Sequence, residues 1–229
     1  MVEESSKFKF RVSAQPLALF ETPIIFGKLE GGDNFIDDVE AVIRQRMSED
    51  QKGIVRSNQD AWHSDTKMLV WGGPVAKRLG DVVISMAKRA TFFADSSPED
   101  FDWALQMWAN VTPKGGQNAM HVHTGNLWAA VLYIDMGDEP DSETNIGGEF
   151  YVEDPRFPMN VMRNTGMRVK GLNGQPQNPH AVLSVERGQI IMFPAWLRHG
   201  VRPYAGSRER ISVAINIDAQ PKHKPGIVV

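Results

Sequence analysis

The residues best placed to do chemistry are three histidines and an arginine. His121 and His123 form an HVH triplet within QNAMHVHTGN (117–126). In an extended strand alternate side chains share a face, so the two rings stand on one side with their Cα atoms about 6–7 Å apart. Both can then turn toward one ion at the usual metal–nitrogen distance of roughly 2.0–2.2 Å. Such a pair serves equally well as two polar residues at a strand end. His199, in FPAWLRHGV, follows a buried-looking strand, and the Pro and bulky aromatic before it suggest a rigid turn that aims the ring. Three imidazoles from two neighbouring strands would form a facial set and leave coordination positions open, as a catalytic metal requires. Arg210 then opens the strand RISVAIN, whose alternation puts Arg210, Ser212, Ala214 and Asn216 on one face. A guanidinium is always charged and holds a carboxylate in two parallel hydrogen bonds, to which Ser212 can add a third. An edge arginine in a surface ion pair is the plain alternative, and Arg208 competes for the role from the turn GSRER.

Elements must bring these residues together. Residues 8–29 read as extended, with short apolar runs broken by Pro16 and Pro23. Asp33-Asn34 can cap a helix reaching about Met47, and Pro74 suits the first turn of a second helix to about Phe93, with Val75, Leu79, Val82, Val83, Met86 and Ala90 along one side. From Phe101 β character dominates. In 101–111, Trp103, Leu105, Met107 and Ala109 face one way and Gln106, Trp108 and Asn110 the other. WAAVLYID (128–135) is apolar enough for burial on both faces, and Gly147-Gly148 makes a tight turn into a strand ending near Val152. Further strands are expected at 182–185, 189–194 and 209–218, with a loose tail over 219–229. The long segment 155–180 carries Arg156, Arg163, Arg168 and Lys170 and no acid. It reads as a lid over the site, with a hint of an anionic substrate. Two helices followed by seven or eight short strands predict a mostly β fold with flanking helices. That is a jelly-roll barrel buttressed by two N-terminal helices, organised as one domain over 1–229 with its core at 101–218.

Composition narrows the function. With 229 residues and a net charge of −3, nothing global favours nucleic acid or an anionic membrane as partner. Cysteine is absent, so any metal must be held by His, Asp or Glu. No signal peptide or long apolar run is visible, so a cytoplasmic protein is expected.

The order HxH, then GGEF, then G-x-I-I-x-F-P-x-W-L-x-H, then R-I-S resembles the iron(II)- and 2-oxoglutarate-dependent dioxygenases, especially their prolyl-hydroxylase-like branch and a bacterial group within it of unassigned substrate. The motifs cover about 101–218. LFETPII and SNQDAWHS are similar to that group as well. The resemblance implies a double-stranded β-helix, Fe(II) as metal, 2-oxoglutarate as co-substrate and O2 as oxidant. Hydroxylation of a C–H bond would accompany decarboxylation of 2-oxoglutarate to succinate. Residue by residue, it implies His121 and His199 as metal ligands, and Arg210 with Ser212 as partners of the distal carboxylate of 2-oxoglutarate. It also implies Tyr133 as a further hydrogen bond to that molecule, although Tyr133 reads as readily as a core tyrosine. At His123 most of the superfamily has Asp or Glu. Either three histidines bind the metal, or a carboxylate such as Glu149 completes the set.

Two other readings stand beside this one. A cupin-type three-histidine enzyme would use the same fold without 2-oxoglutarate, but that pattern places Glu shortly after HxH, where TGNLW stands here, and it leaves Arg210 without a task. A non-catalytic jelly-roll module would close its metal with a fourth ligand, for which His63, His180 and His223 are the candidates, each expected to be a surface residue. A small molecule or a protein side chain both fit as substrate, and a homodimer is an arrangement the sequence allows.

Overall fold

The computed structural model describes residues 11–138, 146–156 and 166–222. The chain enters through β1 (Ile25–Lys28) and α1 (Asp33–Glu49), then passes β2 (Asn58–Gln59), β3 (Trp62–His63), a four-residue α2 (Met68–Trp71) and α3 (Gly73–Ala90). The strands β4 (Phe101–Thr112), β5 (Gln117–His121), β6 (Trp128–Asp135), β7 (Phe150–Glu153), β8 (His180–Leu183), β9 (Gln189–Pro194), β10 (His199–Val201) and β11 (Arg210–Pro221) follow. A six-stranded antiparallel sheet runs β1-β9-β6-β11-β4-β3 and faces a five-stranded one, β2-β5-β10-β7-β8. This is the expected mostly β double-stranded β-helix.

The larger sheet is buried on both sides, for two reasons visible in its residues. Its outer face carries Met107, Ala109, Leu132, Ile134, Val213 and Ile215, which pack under the helices. Ile36, Val39 and Ile43 of α1, and Leu79, Val83 and Ala87 of α3, recur at helical spacing and supply the other half of that core. Fully burying each such aliphatic side chain is worth about 1.5–3 kcal/mol. Gly80 brings α3 close to the sheet, since a Cβ there would lie 3.0 Å from Leu105. The inner face of the barrel holds a second apolar cluster, with Ala129, Phe150, Val152, Ile191, Phe193 and Leu197.

Several boundaries differ from the sequence reading. Of the described residues 11–29, only Ile25–Lys28 pairs as a strand, and residues 11–24 form no regular element. The N-cap of α1 is Gly32 with no side-chain bond, and Asp33 instead places its charge in the first helical turn, where it complements the helix dipole. Strand β11 continues to Pro221, so the tail begins later than expected, and 223–229 lie outside the described residues. Arg163 and the rest of 157–165 in the basic segment also lie outside them.

Candidate functional site

Strand pairing brings distant histidines together. His121, at the end of β5, is the register partner of His199, at the start of β10. His123 lies beyond the end of β5 rather than within a continuous strand, as the alternation had suggested. Its backbone N–H donates to the Ala195 carbonyl at 2.9 Å, so the turn from β9 to β10 fixes it. That turn aims His199 too, though differently from expectation. Trp196 points outward and is 54% exposed, while Leu197 is buried and its carbonyl accepts the His199 Nδ1–H at 2.8 Å.

The ring centroids of His121 and His199 are 4.3 Å apart, and that of His123 is 5.0 Å from each. One ligand nitrogen from each ring lies within 4.8 Å of the others. His121 donates its Nδ1–H to the Ala119 carbonyl at 2.7 Å, as His199 does to Leu197, so both present an Nε2 lone pair. His123 Nε2 and His199 Nε2 are 3.1 Å apart. Two nitrogens bound at right angles to one ion at about 2.1–2.2 Å would be separated by about 3.0–3.1 Å, so the donor set fits a metal with octahedral preference. Phe150 and Phe193 stand against His199, at centroid distances of 5.5 and 4.7 Å, and keep water from that side. Burial, reinforced by the neighbouring imidazoles, pulls His123 down to about 4 and His199 to about 3, and burial lowers His121 as well. All three are therefore neutral and competent as ligands near pH 7.

Arg210 lines the same cavity, which encloses about 660 Å³ of atom-free space, part of it open to solvent. Its guanidinium donates to the Gly148 carbonyl and lies over the Tyr204 ring, 5.7 Å from the centroid. Gly148, at φ +76°, makes room: a Cβ there would sit 2.5 Å from the guanidinium. The expected glycine turn before β7 thus also seats the arginine. Arg208, by contrast, is exposed and pairs with Asp135 at 2.7 Å, which removes it from contention. Register places Tyr133 of β6, Ser212 of β11 and Asn110 of β4 side by side across the cavity floor. The Tyr133 hydroxyl and Asn110 Oδ1 are buried without a hydrogen-bond partner. Burial raises the Tyr133 phenol, against the opposing pull of Arg210, and lowers Arg210. A cavity holding one cation and two orphaned polar groups suits a small, bidentate, anionic ligand.

Asn110 was not singled out from sequence, although alternation along β4 had already turned it and Trp108 to one face. Trp108 packs its ring 5.7 Å from His123 and stacks on His63 at 5.5 Å. His63 is accordingly buried behind the site rather than on the surface, outside the convergent trio, and its ring shares a hydrogen bond with the Ser64 carbonyl. His180 is half-exposed, 3.8 Å from Glu153, and His223 lies outside the described residues. Glu149 is not part of the trio either: its nearest cation is Arg202 at 4.0 Å, and its Oε2 is buried without a partner.

Fold and cavity together define a double-stranded β-helix protein with a histidine-lined pocket beside a half-buried arginine. Residues 106–216 match the family model described as "Putative 2OG-Fe(II) oxygenase". No curated protein sequence matches it. Among solved structures it is similar to a prolyl-4-hydroxylase of Pseudomonas putida (14% identity, 85% of this chain and 91% of that one, TM-score 0.56). It is also similar to a prolyl hydroxylase of Trichoplax adhaerens in complex with a hypoxia inducible factor peptide fragment (11%, 85% and 83%, 0.57). A third is the non-haem alpha-ketoglutarate-dependent epimerase SnoN from nogalamycin biosynthesis (14%, 90% and 86%, 0.58). At these identities the likeness establishes the fold. Among the described residues no helix is long and apolar enough to cross a membrane.

Proposed function

We infer that the protein is a non-haem iron(II)- and 2-oxoglutarate-dependent dioxygenase that hydroxylates a C–H bond of its substrate. In this reading His121, His123 and His199 hold the metal, and Arg210, Ser212 and Tyr133 hold 2-oxoglutarate. The observation that carries it is that three convergent neutral imidazoles and the half-buried Arg210 line one cavity. A cupin-type enzyme would give that arginine nothing to bind.

When bound, iron with 2-oxoglutarate and O2 supplies oxidation of an unactivated C–H bond, with succinate and carbon dioxide as co-products. The chain's own residues do the rest. Arg210 grips the distal carboxylate while remaining tethered to Gly148, so the co-substrate has one orientation. Tyr133 donates its hydroxyl hydrogen, and the raised phenol keeps that hydrogen on the oxygen. The Ala119 and Leu197 carbonyls hold the His121 and His199 rings in one tautomer. Phe150 and Phe193 exclude water from the side of His199. Three neutral ligands leave the ferrous centre one negative charge short of a two-histidine, one-carboxylate set, which strengthens its pull on anionic oxygens of the co-substrate. The peptide complex of the Trichoplax enzyme and the role of SnoN in nogalamycin biosynthesis support a peptide side chain or a small molecule as substrate class.

The test is to add iron(II) and 2-oxoglutarate anaerobically and look for the weak visible charge-transfer band of the chelate. The native protein should form it and Arg210→Ala should not at ordinary co-substrate levels. Absence of the band from iron-loaded native protein would remove the oxygenase reading.

A further inference from the structure

The inward strip of β4 and β11 continues past the three imidazoles. Beyond the Ala214–Trp108 pair, Asn216 lies opposite Gln106 and Asp218 opposite Ala104. These residues and the loop after β5 line a second cleft, more open to solvent than the first cavity. Both spaces share His123. The two ends of the strip are chemically opposite. Arg210 stands at one, while the described lining of the second cleft contains no lysine or arginine, and Asp218 is its only charged side chain.

The wall of this cleft is built from hydrogen-bonding groups: Gln106, Thr124, Asn126, Asn216 and Asp218. Asn216 is 8% exposed, and its Oδ1 is buried without a partner. Its Nδ2 reaches Gln106 Oε1 at 3.5 Å, the outer limit of a hydrogen bond. Asp218 Oδ2 accepts from Gln220 Nε2 at 2.6 Å, so the carboxylate is steered rather than free to turn. A buried carbonyl oxygen lacking a donor is costly, and the residue that carries this one lines the cleft.

We propose that this second cleft holds the organic substrate and selects one bearing a protonated amine, with Asp218 and Asn216 Oδ1 as the acceptors. An anionic group would meet the Asp218 carboxylate with no compensating cation in the described wall. The described residues of the basic segment 155–180, which had hinted at an anionic substrate, contribute none of that lining. Because His123 stands between the two spaces, a molecule anchored at Asp218 can project a neighbouring carbon toward the imidazole trio while 2-oxoglutarate occupies the Arg210 end. The fate of the bound molecule rests on the oxygenase reading; its binding does not.

The experiment uses full-length protein loaded with cobalt(II), whose paramagnetism broadens and shifts proton resonances of any small molecule held nearby. The probes are L-lysine and D-glucosamine as amines, N-acetylglucosamine as the neutral counterpart, and L-glutamate and glucose 6-phosphate as anions. The amines should bind about tenfold more tightly than the neutral probe, and the anions should not bind. Asp218→Asn and Asn216→Ala should each weaken amine binding by about tenfold, and Asp218→Glu should retain it, which separates lost charge from lost fold. Equal or tighter binding of an anion, indifference of amine binding to Asp218→Asn, or no amine bound up to about 10 mM would each overturn the proposal. The 2-oxoglutarate chelate band is read on the same preparations with iron. Amine binding that depends on Asp218 in a protein forming no chelate sinks the oxygenase reading alone, and a chelate without amine binding sinks this inference alone.

Discussion

Replacing Arg210 by alanine removes the only arginine or lysine among the described residues that line the cavity carrying the imidazole trio. A guanidinium has five N–H donors, and here one is committed to the Gly148 carbonyl, leaving a free fork. Two charge-assisted bonds to a carboxylate are worth about 1.5–3 kcal/mol each in gross terms. The truncated site is worse than one missing two bonds, because the ligand carboxylate is left among Tyr133, Ile211 and Ser212 without a counter-charge. Leaving a charge unpaired in this way costs about 3–5 kcal/mol, or roughly two to four orders of magnitude in affinity. Arg210→Lys keeps the charge but loses the fork, and should cost only about tenfold to thirtyfold. Anaerobic titration of the iron-loaded variants with 2-oxoglutarate, read by the chelate band, measures both. Circular dichroism checks that each variant folds. If Arg210→Ala bound 2-oxoglutarate within about threefold of native, the arginine would be an ordinary structural residue and the assignment of this end of the cavity would be wrong.

Three further outcomes are expected. Tyr133→Phe removes a buried hydroxyl that has no partner in the ligand-free protein, so the melting temperature should rise while 2-oxoglutarate affinity falls about threefold to tenfold; both shifts in the same direction would contradict the assigned role. His123→Asp restores the missing negative charge and should hold iron(II) at least as tightly as native, as measured by competition with a chromophoric chelator, whereas His123→Ala should lose the metal. The pH dependence of the metal-free protein follows from His123 near 4 and His199 near 3 against an ordinary 6.5. The unfolded chain takes up these protons first, so stability is fully present above about pH 6.5 and falls as pH drops toward 4 and below. Thermal melts should show this slope, and a His123→Asn, His199→Asn double variant should flatten it.

Much of this arrangement was legible because period and spacing carry it. The alternation of β4 and β11 correctly assigned Gln106, Trp108 and Asn110, and Arg210, Ser212, Ala214 and Asn216, to shared faces, and burial of the apolar half followed. Helical spacing in α3 likewise picked out Leu79 and Val83, with Val75, Val82, Met86 and Ala90 partly buried beside them, but not the buried Ala76, Gly80 and Ala87. What was missed depends on partners remote in sequence. Nothing local to WHS indicates that His63 would be buried, since its burial comes from stacking on Trp108 in another strand. The three-residue β10 is too short for periodicity to register, yet its pairing with β5 sets His199 against His121. Asn110 was visible as a polar residue on an inward face, but its register alongside Ser212 and Tyr133 exists only once three strands are assembled.

The twelve-residue β11 gives the protein a single axis along which inward side chains are set out. Its odd and even positions have separate duties, so one inserted or deleted residue upstream of Ser212 would turn every inward side chain downstream outward at a stroke. Point changes are far gentler: exchanging Asn216 or Asp218 re-tools one extremity without disturbing the guanidinium at the other.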